Sequence, residues 1–531
     1  MQRRILFAIL LASGAVAGCG NDTKAELPSA ADRFPRLSHA QWEATVKDLF
    51  RMPAESGLSS TFTPDPQLGR FDNNIARLGL SQGLWRDYQQ AAEVVASKVV
   101  TDEAIYARLV PAQDARAFVT ELGMRAFRRP LKPAEVERYL ALFDSAAPVF
   151  PQHDAFKAGV RLVVQGMLQS PFFLYRSEIS NTRAPIGLPL SGYEVASRMS
   201  YLFWNTMPDD ELFAAAKAGE LDDADGVRRQ ASRLFDDPRT QAQFRRFHYQ
   251  AFSISDYADI DKSTTVFPTW RRDMGSMMQE EALRFLESVV SNDGTVADLL
   301  TSTKAFVNKD LAKIYGIAGD FGDDFVEVNL DPATRAGLLT RAGFLARNAT
   351  LVEADPIHRG VSINIGILCR QISAPPVIPD NLVRSGETNR EKVDSVTGQG
   401  TCGENCHYTI INPLGFAFEN FDAIGAYRTM DSGKPVNSAA TYHFADGRAI
   451  SYGNAVELSK QLAVSPEVHQ CYARQLLEFM LGRDLHLLDS GTVRSMAQSS
   501  LEEQASIKEM VMSIVESNAF RVRSTGERSQ P

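Results

Sequence analysis

Two cysteines and a histidine lie close together in the stretch TGQGTCGENCHYTIINPLGFAFENFDAIG, residues 397–425. Covalent haem attachment needs two thiols that bond to one edge of the porphyrin and an imidazole that ligates the iron. Cys402, Cys406 and His407 supply these groups, although three residues separate the cysteines, where the usual attachment motif has two. We expect residues 403–405 to absorb the extra residue in a looser turn, because glycine and asparagine tolerate left-handed conformations.

The same three side chains are consistent with two other kinds of site. Cys402 and Cys406 could form a local disulfide, which is stable in an oxidising compartment. They could also bind zinc together with His407 and a fourth ligand, although zinc sites usually have two well-separated ligand pairs. The spacing therefore leaves a haem c site, a disulfide and a metal site open as alternatives.

The sixth ligand of a haem iron would decide which chemistry this site performs. An open sixth position favours peroxide or oxygen chemistry, and a filled one favours electron transfer. His443 is our first candidate for this ligand, because it lies in a predicted strand near the motif. The other candidates are Met430, His469, Met480 and His486.

Two further cysteines flank the motif at a distance. Cys369 and Cys471 lie in the apolar helical runs IGILCRQI and VHQCYARQLL. A disulfide between them would close a loop of about 100 residues and stabilise the fold by roughly 4–5 kcal/mol through loop-closure entropy. The alternative is that both are buried free thiols.

The first residues, MQRRILFAILLASGAVAGCGND, have the pattern of a signal peptide, with two arginines, a short apolar run and small residues at the cleavage site. The sequence Val16-Ala17-Gly18-Cys19 also has the form of a bacterial lipobox, which predicts lipidation of Cys19. The alternative is an ordinary signal peptide with a chance cysteine. We expect an exported protein that a lipid anchors to a membrane of the cell envelope, at the outer membrane on its periplasmic or surface face.

Composition narrows the class of protein further. The chain has 531 residues, 44% of them hydrophobic and 23% charged, which is typical of soluble globular proteins. Its formal net charge of −9 gives it no general affinity for nucleic acid, whose phosphates it would repel. Asp355, His358 and Arg359 could form an acid–base cluster, but an arginine at the start of a helix more often has a structural role.

The elements that must position these residues are mostly helices. Apolar residues recur with helical periodicity over most of the chain, for example at 37–52, 81–100, 112–128 and 133–144. A short strand at 325–330 and a hairpin around Asp446-Gly447 are the main exceptions. The proline-rich and then polar residues 371–400 predict an extended surface loop. We therefore predict a mainly α fold: a multi-helical body with a few short strands and a C-terminal region that carries the Cys/His motif.

Several segments together resemble one bacterial family. TCGENCHYTIINPLGFAFENFDAIGAYR, LSHAQWEATVKDLF, RAFRRPLKPAEVERYLALFD, YEVASRMSYLFWNTMPDDEL and CYARQLLEFMLGRDL resemble a series of domains of unknown function numbered 1587, 1595, 1592, 1588 and 1585. Planctomycetes and myxobacteria are rich in this series, which is often fused to cytochrome c-like domains. The resemblance implies that Cys402, Cys406 and His407 are the haem-binding positions, and it implies no defined activity. Asn412 stands where the family often has aspartate, and the three-residue spacer departs from the family pattern.

The resemblance and the composition shifts together predict the domain organisation. The predicted segments are a signal peptide at 1–18, a tether at 19–36, an N-terminal helical domain at 37–110, a helical linker domain at 111–180, a central helical domain at 181–318, the Cys/His motif domain at 319–430 and a C-terminal helical domain at 431–531.

The function that follows from these features is redox chemistry. We expect an envelope lipoprotein with a single haem c that acts in electron transfer or in peroxidase-like chemistry together with a redox partner protein. The alternative is a surface lipoprotein without catalytic activity, whose cysteines form disulfides and whose helical body is a binding scaffold.

Overall fold

The computed structural model describes residues 34–66, 69–180, 187–372, 384–401 and 403–523, without the side chain of Asn405. The predicted signal peptide, the lipidation site Cys19 and the first motif cysteine, Cys402, lie outside these residues. Predictions that depend on them alone therefore stay predictions.

Helices make up most of the described chain, as the apolar periodicity predicts. The prediction of a mainly α fold with a few short strands is confirmed. The α-helices, numbered in chain order, are α1 His39–Leu49, α2 Gln82–Thr101, α3 Glu103–Leu109, α4 Ala115–Phe127, α5 Pro133–Asp144, α6 Ala155–Leu168, α7 Pro171–Leu174, α8 Gly192–Trp204, α9 Asp210–Ala218, α10 Ala224–Phe235, α11 Pro238–Ala251, α12 Met274–Ser291, α13 Val296–Thr301, α14 Lys309–Tyr315, α15 Ala342–Arg347, α16 Pro356–Gly366, α17 Asn389–Thr397, α18 Asn412–Phe416, α19 Ala455–Ala463, α20 Pro466–Leu481, α21 Ser490–Glu502, α22 Ile507–Glu516 and α23 Asn518–Arg521. A π-helix spans Glu404–Ile411 and leads directly into α18.

The strands are short and pair locally, with one exception. The described residues contain four antiparallel two-stranded sheets. The strands are β1 Leu188–Pro189, β2 Lys304–Val307, β3 Val326–Asn329, β4 Met430–Asp431, β5 Lys434–Pro435, β6 Ala440–His443, β7 Ala449–Tyr452 and β8 Val522–Arg523. Strand β2 pairs with β3, β4 with β5 and β6 with β7, whereas β1 pairs with β8 from the far end of the described chain.

Capping side chains or a proline begin three of the helices that the apolar periodicity predicts. Ser38 caps α1 in a capping box with Gln41, and Ser81 accepts a hydrogen bond from the backbone N–H of Leu84 at the start of α2. Pro133 occupies the first turn of α5, where its missing N–H costs no hydrogen bond. The hairpin also forms as predicted, with Gly447 in the left-handed conformation between β6 and β7.

The predicted loop at 371–400 is wrong over part of its length. Residues 389–397 form helix α17, which Thr388 begins through a capping box with Glu391. Val393 and Val396, three residues apart, are the apolar residues that this helix buries. The polar composition hid the helix, although the sequence T-N-R-E carries the capping-box pattern.

Two hydrophobic cores organise the chain. Helices α1–α7 surround the first core, in which Trp42, Phe62 and Tyr88 form an aromatic cluster. Helices α8–α16 and α18–α23 contribute side chains to the second. Tyr201 of α8 packs into the first core, where its hydroxyl lies 2.9 Å from the hydroxyl oxygen of Thr45. Helix α8 therefore contributes side chains to both cores and connects them.

Candidate functional site

The second half of the Cys/His motif lies in the π-helix Glu404–Ile411. The N–H of Asn412 donates to the carbonyl oxygen of His407, five residues earlier, which is the hydrogen bond that defines a π-helix. A π-turn holds one more residue than an α-turn. Gly403, at the start of the helix, has right-handed backbone angles (φ −83°, ψ −8°), so the expected left-handed turn is wrong at this residue. The π-helix therefore begins within the spacer, at Glu404.

Cys406 presents a thiol that can react. Its side chain is exposed and is not part of a disulfide. An exposed, unpaired thiol is accessible to a ligand or to a second thiol. The Cys402–Cys406 disulfide that the sequence left open involves a residue outside the described part of the chain, so it stays a prediction.

His407 has one ring nitrogen available for a ligand. Its Nδ1 is buried without a hydrogen-bond partner in the described part of the chain, so Nε2 is the nitrogen that can reach a metal. Burial lowers the pKa of His407 below its usual value, so the ring is neutral at pH 7, the form that ligates metals. Cys406 could therefore supply one thioether bond to a haem c, and His407 could supply a nitrogen ligand to its iron.

Helix α16 holds the π-helix from one side at close range. A Cβ added at Gly360 would lie 2.1 Å from the carbonyl oxygen of Ile411, so only glycine allows this approach. The buried Asn364, one turn later, donates from Nδ2 to the carbonyl oxygen of Ile410 at 3.0 Å. Its Oδ1 accepts from the hydroxyl of Tyr442 on β6 at 3.2 Å. One asparagine therefore links α16, the π-helix and the hairpin.

A second contact fixes the end of the π-helix. Asn412 is buried, and its Nδ2 donates to the hydroxyl oxygen of Thr397, the last residue of α17, at 2.9 Å. The missed helix α17 is therefore part of the support of the motif. This bond also gives a structural role to the amide that stands where the resembling family often has a carboxylate.

The segment after the motif is a rigid support rather than a set of reacting groups. Arg359 is completely buried and donates to the backbone carbonyl oxygens of Phe418, Phe421 and Asp422, and also to that of Leu345. Burial lowers the pKa of Arg359 to about 10, still well above neutral pH. Its charge is therefore used to bind the turn at 418–422 to α16.

The candidate acid–base residues Asp355, His358 and Arg359 also have structural roles. Asp355 caps α16 by accepting from the N–H of His358 at 3.1 Å, and its other oxygen lies 2.6 Å from Nδ1 of His358. This hydrogen bond raises the pKa of His358, whose side chain is 71% exposed. Because Arg359 points into the core, the three residues do not converge on one reaction centre.

The candidate sixth ligands are distributed over the C-terminal region. His443 is exposed, and strand alternation puts it on the opposite face of β6 from Tyr442, which contacts Asn364 of α16. Both ring nitrogens of buried His469 have partners, the hydroxyl of Ser500 and the carbonyl oxygen of Ala463, each at 2.9 Å. Met480 is buried in the core and Met430 is 50% exposed on β4.

Two further observations bear on metal and ligand binding. No three His, Cys, Asp or Glu side chains converge as a metal site among the residues that the structure describes. A cavity of about 800 Å³ lies against Val361, Ser362 and Ile365 of α16. Gly360 and Asn364 of the same helix contact the π-helix instead, so this cavity does not open on the Cys/His motif.

Cys369 and Cys471 are joined by a disulfide with a Cα–Cα distance of 5.3 Å. It ties the segment after α16 to the middle of α20.

Sequence reasoning missed Asn364 as a supporting residue of the motif. A polar residue inside the apolar run GVSINIG was the available signal.

Comparison with known proteins matches five family models along the chain. Each is described as a protein of unknown function: DUF1587 at residues 35–101, DUF1595 at 114–178, DUF1592 at 190–317, DUF1588 at 335–431 and DUF1585 at 447–520. The DUF1588 model, which covers the Cys/His motif, has the short name PSCyt3, which associates it with cytochrome c.

No curated protein and no solved structure matches the chain. Among the described residues, no helix has both the length and the hydrophobicity needed to cross a bilayer. The five matches follow one another in the order that the sequence segments predict. The chain therefore belongs to the protein family that carries the DUF1587, DUF1595, DUF1592, DUF1588 and DUF1585 domains in series.

Proposed function

We propose that this protein is a single-haem redox protein of the cell envelope, acting in electron transfer or in peroxidase-like chemistry. The observation that carries the proposal is the π-helix, which presents a free exposed thiol beside a neutral imidazole. The name of the matching PSCyt3 model supports the same reading.

Each residue of the motif has a defined role in this proposal. Cys402 and Cys406 would form the two thioethers, and His407 would ligate the iron through Nε2. The bound haem would supply a one-electron couple at the iron. Gly360 and Asn364 hold the π-helix against α16 and so fix the backbone that carries Cys406 and His407.

A pyridine haemochrome spectrum tests the proposal directly. The full-length protein is expressed with the cytochrome c maturation machinery, and we expect haem absorbance to remain with the chain after denaturation. Intact mass spectrometry should show one haem added per chain. Cys406→Ala removes one thioether, and His407→Ala removes the axial ligand while both thiols remain.

The controls separate attachment from folding. Serine at Cys369 and Cys471 leaves the motif unchanged, so this double variant should keep its haem if it folds. A known cytochrome c expressed in the same cells is the control that shows that haem attachment works there. If that control carries covalent haem and the wild-type protein does not, the proposal is refuted.

Anchoring in the envelope is a second part of the proposal. We propose that Cys19 is lipidated after removal of residues 1–18 and that the anchored protein exchanges electrons with a protein partner. Cys19→Ser should move the protein from the membrane fraction to the soluble fraction. Equal membrane association of both forms would exclude this anchor.

A surface scaffold without a cofactor is the alternative function. The Cys369–Cys471 disulfide and the buried arginine contacts favour it, because they show that much of this region is built for rigidity. The two functions differ in intact mass, since a haem adds mass and a Cys402–Cys406 disulfide removes two hydrogens.

A further inference from the structure

An arginine-rich cavity lies where the two hydrophobic cores meet. Its volume is about 90 Å³, room for several waters or one small ion. Segments from four of the five family domains line it, and the arginine, glutamate and histidine residues of its lining are Arg176, Glu178, Arg198, Arg246, Arg483, His486 and Arg523. Five guanidinium groups thus face a cavity whose lining contains one carboxylate.

Most of these guanidinium groups have partners. Arg198 makes a two-pronged ion pair with Glu178, with N–O distances of 2.5 and 2.8 Å. Arg246 pairs with Asp72 at 2.9 Å, and Arg483 pairs with Asp489 at 2.7 Å. Neither aspartate is part of the cavity lining, although each forms an ion pair with an arginine that is.

Arg176 differs from its neighbours. Its Nε is buried without a hydrogen-bond partner, and no carboxylate in the described part of the chain forms an ion pair with it. The guanidinium lies over the ring of Tyr201, 5.1 Å from the ring centroid. Burial lowers its pKa to about 10, so it stays charged at neutral pH. A largely desolvated guanidinium that forms no ion pair is costly, and an anion in the cavity would reduce that cost.

A second polar atom in the same cavity also lacks a partner. The Oδ1 of Asn73 is buried and accepts no hydrogen bond in the described part of the chain, while its Nδ2 donates to the carbonyl oxygen of Phe479 at 2.7 Å. An acceptor of this kind needs a donor such as a hydroxyl group. The cavity therefore offers a cation for an oxyanion and an acceptor for an O–H group.

We propose that this cavity binds a small oxyanion that also carries a hydroxyl group, either a phosphate or a hydroxycarboxylate, with Arg176 as its principal cation. The bound anion would bridge Arg176, next to the first core, and Arg483, just after α20 of the second core. Binding would therefore stabilise the junction of the two cores. The proposal is independent of haem, because the cavity residues and the Cys/His motif do not overlap.

Thermal unfolding of the full chain with inorganic phosphate or glycerate tests this site. We expect each to raise the Tm in a saturable way, while sodium chloride at equal ionic strength does not. Arg176→Gln should weaken binding at least tenfold, as measured by isothermal titration calorimetry. Arg116→Gln removes an exposed arginine outside the cavity and should leave the affinity unchanged.

Two further variants keep the test decisive. If Arg176→Gln fails to fold, Gln243→Leu puts an apolar group into the partly buried cavity wall and should also weaken binding. Asn73→Ala should reduce the affinity for phosphate and glycerate more than that for sulfate, which has no hydroxyl at neutral pH. A cavity that holds only water would show no anion-specific rise in Tm, which would overturn the proposal.

Discussion

The two described cysteine regions of this protein differ in the state of their sulfur atoms: one contains a disulfide and the other a free thiol. Cys369 and Cys471 form a disulfide that ties the segment after α16 to α20, and Cys471 is 2% exposed. Cys406 lies on the π-helix with an exposed, unpaired thiol. The same helix, α16, serves both regions, since Gly360 and Asn364 hold the π-helix and the chain reaches Cys369 three residues after its end.

The difference shows that packing decides what a cysteine does. The segment after α16 and the helix α20 bring the Cα atoms of Cys369 and Cys471 to 5.3 Å, a distance that suits a disulfide. At 406 the π-helix turns the side chain away from the core. One region therefore gains stability from its sulfurs, and the other keeps a sulfur available for chemistry. Four changes test this contrast.

The largest expected effect comes from removing the disulfide. Serine at both Cys369 and Cys471 frees the loop of about 100 residues in the unfolded state, so we expect the free energy of unfolding to fall by about 4–5 kcal/mol. Urea denaturation measures it. Wild-type protein in dithiothreitol is the control and should reach the same value. A loss below about 1 kcal/mol would show that the disulfide constrains little.

Acidification should also act on the disulfide side of the molecule. His248 of α11 is completely buried, and its Nε2 lies 2.9 Å from the hydroxyl of Tyr472, the neighbour of Cys471. Burial lowers its pKa to about 3, against about 6.5 when unfolded. Between these values the unfolded chain binds more protons, so stability falls as the pH falls below 6.5. By pH 4.5 the loss from this residue should be about 2–3 kcal/mol.

The variant His248→Gln isolates this effect from the titration of carboxylates. Glutamine stays neutral, so the stability difference between the variant and the wild type should shrink as the pH falls from 7 to 4.5. Urea denaturation at several pH values measures the difference. A difference that is independent of pH would contradict the buried neutral imidazole.

Loosening the π-helix should have a smaller and more local effect. Asn364→Ala leaves the carbonyl oxygen of Ile410 without its side-chain donor and the hydroxyl of Tyr442 without its acceptor, which should cost about 1–3 kcal/mol. Hydrogen exchange should become faster at 407–411 and remain unchanged around Cys471. Ile365→Ala, on the same helix with a side chain that is 42% exposed, is the matched control.

The smallest effect on stability is expected at the motif cysteine. Cys406→Ser replaces an exposed side chain, so the free energy of unfolding should change by less than about 0.5 kcal/mol. The same change should abolish normal haem attachment. A large loss of stability would mean that the thiol has a structural role and would remove the contrast between the two regions.

Much of the fold follows from local sequence patterns. Ser38, Ser81 and Pro133 mark helix starts that the structure confirms, because capping depends on residues within one turn. Helix α17 shows the limit of apolar periodicity, since its short polar sequence hid a capping box. The π-helix could not be predicted, because its winding depends on the close contact of Gly360 and Asn364 with residues about 50 positions later.

By itself, the sequence determined the mainly helical fold, the family and the presence of thiols and an imidazole at the spacing of a modified haem motif. These properties depend on composition, periodicity and neighbours in the chain. Only the tertiary structure decided that Cys406 has an exposed thiol, that Arg359 binds a turn and that Arg176 lines a cavity without forming an ion pair. Such roles depend on burial and on partners that are distant in sequence, and those exist only once the helices have packed.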